Sequence, residues 1–404
     1  MNAHRPIDIS REPRRLDDLG PAVLRAAAVL GVVGLAAGVL LIFVTDEGRQ
    51  RFFRAYLVSF CYFLSLALGA LFFVALQHLT RSGWSVVVRR LAEGIAATLP
   101  LLAVLCIPVL IGMHDLYHWT HSDAVARDQL LQWKQPYLNT TFFVARVVVY
   151  FVVWTLLAWF FLTTSVRQDA TGDVRLTLRM QATSAPAMVL YAITVTFAAF
   201  DLLMSLDPHW YSTIFGVYYF AGSVVGFFAL LAVVVYFIQR AGRLRHAITI
   251  EHYHDLGKLI FAFVVFWAYI AFSQYLLIWY ANIPEESVWY LRRQSGDWAA
   301  VSLGLLFAHF VVPFLALLSR VPKRRKPALA AVAVWVLVVH WIDVYWLVMP
   351  GAGASGVRLG LMDLACFVGV GGLFVAAAVA ALRRHALIPE RDPRLTESLT
   401  FENV

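Results

Sequence analysis

AVLRAAAVLGVVGLAAGVLLIFV, residues 22–44, carries a single charged side chain, Arg25. At about 1.5 Å per residue, a helix over this run is long enough to cross the roughly 30 Å hydrocarbon core of a bilayer. A cleaved signal peptide has a shorter apolar core, roughly 7–15 residues, and a small-residue cleavage site. The run therefore predicts a retained first helix, preceded by a polar N-terminal segment, 1–21, that includes Arg5, Arg11, Arg14 and Arg15.

Nine further runs repeat the pattern, over 55–76, 91–113, 141–164, 187–206, 214–238, 259–283, 299–319, 329–349 and 361–382. Long stretches of alternating apolar and polar residues, the mark of an outer-membrane barrel, do not occur. The expected fold is all-α and polytopic: a ten-helix transmembrane domain over 22–382 and a C-terminal tail over 383–404. Composition agrees, with 61% hydrophobic and 14% charged residues among 404, too little charge to cover a soluble surface.

The basic residues fix an orientation. With the N-terminus inside, twenty-three of the Lys and Arg residues fall in inner segments, among them Arg89, Arg90, Arg240, Arg243, Lys323 and Arg383. Eight fall in outer loops, among them Arg127, Arg292 and Arg358. The positive-inside rule then places both termini in the cytoplasm. The net charge of +8 is scattered in short clusters between apolar runs. That pattern suits an anionic lipid leaflet, not a nucleic acid, which needs basic residues gathered on one face. Cys61, Cys106 and Cys366 all sit inside apolar runs with no CxxC pair, so they read as small core residues, not as cluster ligands. The outer loops carry Tyr117, Trp119, Trp133, Tyr137, Trp289 and Tyr290, residues that sit well at the headgroup level or on a docking surface.

Ionisable groups inside spans are costly and mark functional candidates. Asp201 and Arg146 each lie about 7 Å from the outer end of their helices. Asp343 lies in the outer part of the ninth run, with His340 one turn deeper on the same face, and His309 is near the middle of the eighth. Gln274 and Tyr275 lie at intermediate depth in the seventh. One reading is a polar path that holds protons or a quinone headgroup, reached from the outer face. The other is that Arg146 pairs with Asp201 or Asp343 only to satisfy buried charge. Such a pair would still leave two histidines and one acid over.

The turn Asp207-Pro208-His209-Trp210-Tyr211-Ser212-Thr213 offers an Asp and a His as surface proton donor and acceptor, or simply a solvated turn with Ser and Thr placed to cap the next helix. One haem between His309 and His340 is geometrically possible on antiparallel neighbours; a proton relay is the other role for such histidines. His114, His118 and His121 have metal-like spacing, a weak signal without a further ligand.

The stretches FDLLMSLDPHWYSTIFGVYYFAGS (200–223), QYLLIWYANIPEESVWYLRR (274–293), HFVVPFLALLSR (309–320) and HWIDVYWLVMP (340–350) resemble the second large membrane subunit of bacterial alternative complex III. That subunit belongs to the polysulfide-reductase-type (NrfD-like) family. The resemblance implies two four-helix bundles, the second to fifth and sixth to ninth helices, flanked by the first and last. It implies a respiratory quinol:cytochrome c oxidoreductase in the bacterial inner membrane. A homologous quinol-binding membrane subunit, an iron–sulfur protein and c-type cytochromes would be the partners. Iron–sulfur clusters and c-type haems would sit in those partners, with cytochrome c or a terminal oxidase as acceptor. This subunit would hold no metal and contribute a proton path. Asp201, Asp343, His340, Arg146, His309, Asp207 and His209 are the candidates for that path, and Gln274, Tyr275 and Tyr211 for quinone contacts. An ion-coupled secondary transporter using Asp201, Arg146 and Asp343 is the competing reading, although such transporters show paired helix breaks in matching halves, and Pro108 and Pro313 do not match. A scaffold whose polar groups only join helices is a third.

Overall fold

The computed structural model describes residue 9 and residues 12–17, 19–44, 48–352 and 356–403; Arg5 and Arg11 lie outside the described residues. Ten helices are long and apolar enough to cross a membrane: α1 (Leu19–Val44), α2 (Gly48–Leu79), α3 (Val86–Ile111), α4 (Thr140–Thr171), α5 (Val174–Leu206), α6 (Phe215–Arg240), α7 (Ile250–Ala281), α8 (Asp297–Leu318), α9 (Lys326–Gly351) and α10 (Leu361–Leu382). The protein is an all-α polytopic membrane protein. Each expected run falls on one of these helices, but several helices begin earlier than the run. A hydropathy pattern registers only the part of a helix that suits lipid, whereas the backbone ladder continues through polar turns to a cap. Asp173 accepts from the Arg175 amide at the start of α5, and Thr249 and His252 cap α7 reciprocally. Pro186 consequently lies inside α5 rather than ahead of it.

Helices α2–α5 close around one another, α6–α9 do the same, and the two bundles meet along α2 and α6. Gly69 makes that meeting possible, because a methyl there would lie 2.3 Å from the Ser223 carbonyl oxygen. Helix α1 flanks the bundles against α10, with the Gly34 backbone on Gly369, where an added Cβ would fall 2.6 Å from the amide nitrogen. Small residues of this kind give helices in lipid their van der Waals contact.

Both described chain ends lie on one face, here the terminal face. The Leu387 amide donates to the Arg14 carbonyl at 2.7 Å, and Arg14 pairs with Glu390 at 2.9 Å. The tail folds back into the protein: Leu387 and Ile388 are buried, and the Ser398 hydroxyl donates to the Trp84 carbonyl at 2.6 Å. Beneath it, Arg89 pairs with Asp392 and Glu93, while Arg90 pairs with Glu93 at 2.9 Å and Asp169 at 2.8 Å. These buried charges thus have partners of opposite sign, as burial demands.

On the opposite, loop face, residues 112–139 fold into short helices that lie back on the bundle. The aromatics expected at the headgroup level therefore divide. Trp133 is exposed, but Tyr117, Trp119, Trp289 and Tyr290 are buried in protein contacts. Tyr117 donates to the Leu202 carbonyl at 3.1 Å, and Trp289 stacks on Trp210 with ring centroids 4.3 Å apart.

Candidate functional site

Arg146, Asp201, Asp343, His340 and His309, the candidate residues inside the spans, separate into two sites, one in each bundle. In the first, α4 presents Arg146 to Asp201 of α5. The guanidinium is bidentate, Nε to Oδ2 and Nη2 to Oδ1, both at 2.8 Å. Its remaining Nη1 donates to the Tyr137 carbonyl at 2.9 Å, and its plane lies 3.8 Å from the Tyr137 ring centroid. The Tyr150 hydroxyl completes the carboxylate at 2.7 Å. Each charge is thus met by an opposite charge and by further donors or acceptors, the condition under which a buried ion pair is tolerated.

In the second bundle, Asp343 of α9 accepts from the Tyr218 hydroxyl of α6 at 2.5 Å and from the Trp267 indole of α7 at 3.2 Å. No Lys or Arg among the described residues pairs with it. The basic side chain it approaches is His340, Nδ1 to Oδ2 at 4.0 Å. His340 Nε2 bonds Ser65 Oγ of α2 at 2.8 Å, so this site reaches across to the first bundle. His309 of α8 lies against Trp267, with ring centroids 4.0 Å apart, and 6.1 Å from the His340 ring. Asp343 and both histidines are at most 1% exposed. Among the described residues, both nitrogens of His309 and Nδ1 of His340 have no hydrogen-bond partner.

Local sequence explains this geometry. Pro313 cannot donate to the carbonyl four residues back, that of His309, and α8 passes through a π-helical stretch at Leu306–Val311, a feature common at functional sites. Helix α6 clasps the His340 ring through Gly222 and Gly226, where a Cβ would lie 2.9 Å from Cε1 and 2.8 Å from Cδ2. Trp267 packs on the other histidine.

A cavity of about 460 Å³ opens between α7 and α8 beside this cluster, lined by Tyr218, Trp267, Tyr275, Tyr290, Ser302 and Trp346 among others. Two of these, Tyr218 and Trp267, are the donors to Asp343. The acid is thus one residue layer from a mostly apolar cavity whose upper wall belongs to the loop face. Gln274 stands behind that wall, accepting from Ser212 and donating to Tyr290, both at 3.0 Å. The Ser212 hydroxyl is therefore engaged elsewhere, and α6 begins without a side-chain cap, contrary to the expected Ser or Thr cap.

Tyr211 is exposed on the loop face, under Lys134. Asp207 and His209 do not pair with each other. Asp207 binds Arg292 at 2.6 Å, and His209 binds Asp128 at 2.5 Å. The hydrogen bond from His209 and two backbone amides hold the Asp128 carboxyl below its usual range. The His114 and His121 rings lie 3.7 Å apart, tilted by 31°, and His121 Nε2 bonds the His114 carbonyl at 2.9 Å.

Some participants carry little or no signal in the sequence. Ser65, Tyr218 and Trp267 read as span lining, whereas Gly222 and Gly226 form a GxxxG spacing that marks a close helix approach. Arg293 sits in the short helix Pro284–Arg293, where burial pushes its guanidinium down to about 9. It donates to the Trp346 and Leu347 carbonyls near the end of α9 at 3.2 and 2.9 Å, groups that a helix C-terminus leaves unpaired. No protein-family model and no curated protein matches this chain.

Proposed function

We propose that the chain is a membrane subunit of a bacterial quinol:cytochrome c oxidoreductase of the alternative complex III type, and that its α6–α9 bundle carries protons. The observation that carries this reading is the buried Asp343–His340–His309 cluster, which has titratable groups and, among the described residues, no fixed counter-charge. The motif resemblance gives the cluster its context. The chain itself holds no redox cofactor in this reading. The iron–sulfur clusters, c-type haems and the principal quinol site belong to partner subunits.

The terminal face, richer in Lys and Arg, is the cytoplasmic one, so both termini are cytoplasmic and the cavity beside Asp343 lies toward the outside of the inner membrane. Protons reach Asp343 past Tyr218, whose hydroxyl can relay between cavity and carboxyl. The 4.0 Å gap to His340 exceeds a direct hydrogen bond, so a bridging water or a turn of the carboxyl completes the step. His340 takes up the proton at Nδ1, and its Nε2 is held by Ser65 on α2. Tyr275 and Tyr290 in the cavity wall are the groups placed for quinone contacts. The Arg146–Asp201 pair serves stability and stands outside the path. Helix interruptions at Pro108 in α3 and Pro313 in α8 fall on the second helix of one bundle and the third of the other, which speaks against a transporter built from matched halves.

The test is purification of the tagged full chain from native membranes in mild detergent. A stoichiometric assembly containing c-type haem and iron–sulfur protein is expected. A homogeneous monomer or dimer that moves an ion or solute after reconstitution would overturn the reading.

A further inference from the structure

A second cavity, of about 650 Å³, lies between α1, α6 and α10 at the terminal face. It is within the size range of small-molecule sites, about 300–1,000 Å³. Its walls include Val23, Val234, Phe237, Phe374, Ala378 and Leu382, none of which offers a polar side chain. The N-terminal strap closes its end. Leu16 lines it, and Arg243 pins the strap by donating to the Arg15 and Leu16 carbonyls at 2.7 and 3.0 Å.

Charge distinguishes the mouth from the walls. Arg240, the last residue of α6, lines the cavity and is exposed. Gly20, also in the lining, lies against Arg383, whose Cβ is 3.1 Å from where a Cβ on Gly20 would be. Neither arginine has an ion-pair partner among the described residues. An apolar slot between membrane helices, with the exposed arginines Arg240, over the Tyr236 ring, and Arg383 at its headgroup end, matches a lipid bearing negative charge.

We propose that this groove binds one anionic phospholipid, with an acyl chain between α1, α6 and α10 and the phosphate at Arg240 and Arg383. The guanidinium forks suit phosphate oxygens, and phosphatidylglycerol, which lacks the compensating choline cation of phosphatidylcholine, presents a net negative charge to the same arginines. The inference does not depend on the proton path.

Native mass spectrometry of the full chain, titrated with phosphatidylglycerol or with phosphatidylcholine of the same acyl chains, tests it. Phosphatidylglycerol should bind more tightly. Arg240→Gln should weaken it about fivefold, and adding Arg383→Gln should abolish the preference. Ala378→Phe, which fills the slot, should weaken both lipids, while Arg179→Gln, on an exposed arginine of α5, should change neither. Equal affinity of the native chain for the two lipids, or undiminished binding by the Ala378→Phe variant, would overturn the proposal. The arginine variants alter exposed side chains and keep the test open even if Ala378→Phe fails to fold.

Discussion

Asp201 and Asp343 are both buried aspartates on spanning helices, and both accept a hydrogen bond from a tyrosine, Tyr150 and Tyr218 respectively. Beyond that they differ. A bidentate guanidinium balances Asp201. Asp343 has an indole N–H and a histidine 4.0 Å away. A carboxylate locked to arginine cannot take up a proton without breaking a strong pair and leaving the cation alone in a poorly solvated place. A carboxyl held only by neutral dipoles can. The same residue type thus serves as a clamp in α2–α5 and, in the proposed reading, as a titrating group in α6–α9.

The largest expected effect falls on the clamp. Arg146→Met leaves the Asp201 charge uncompensated, and breaking a buried pair this way costs about 3–5 kcal/mol. It should appear as a lower apparent unfolding temperature in detergent. The double variant Arg146→Met with Asp201→Asn should recover most of that loss, because the unpaired charge is gone. A single variant as stable as the native chain would break the comparison, since Asp201 would then tolerate isolation as Asp343 does.

Next is the clasp around His340. Gly226→Ala places a methyl 2.8 Å from His340 Cδ2 and 3.0 Å from Leu66 Cδ2, and overpacking of this kind costs about 1–3 kcal/mol. Gly304→Ala on α8 supplies the contrast, because nothing lies within 4 Å of its added methyl. That variant should unfold at or slightly above the native temperature, since alanine favours a helix over glycine. Equal destabilisation by both changes would mean that α6 and α9 do not meet through Gly226.

The ten helices were legible because lipid tolerates little charge, so every span leaves a long apolar run. The split of the polar residues into two sites was only half legible. Sequence showed that Arg146 could pair with one acid and that two histidines and another acid would then remain. It could not choose Asp201 over Asp343, because that choice depends on which helices are neighbours in a bundle. Ser65 and Trp267 were invisible for the same reason, being ordinary span residues until the α2–α9 contact and the π stretch of α8 bring the histidines beside them. The loop aromatics misled because a connection that folds back on the bundle buries Tyr117 and Trp289 in protein, not at the lipid surface.

Asp343→Asn tests the other half of the comparison and should cost little stability. The amide keeps the Tyr218 contact and forfeits at most the one from Trp267, worth about 0.5–1.5 kcal/mol. In vesicles containing the assembled complex it should nevertheless abolish proton movement linked to quinol oxidation while electron transfer to cytochrome c continues. An unchanged proton-to-electron ratio would remove Asp343 from the path. Asp201→Asn should behave in the opposite way, losing stability through the stranded Arg146.

The smallest effect is expected at the loop-face turn. Asp207 meets Arg292 at a partly exposed site, where an ion pair contributes about 0–1 kcal/mol, so Asp207→Asn should move the unfolding temperature very little. Its value lies in what it does to proton movement. Asp207 binds Arg292 one residue from Arg293, the buried cation that grips the end of α9 beyond Asp343. A variant that is stable, assembles and still slows proton uptake would extend the path from Asp343 to the loop face. A variant indistinguishable from the native chain in rate would leave the cavity between α7 and α8 as the entry, and confine the titrating site to α6–α9.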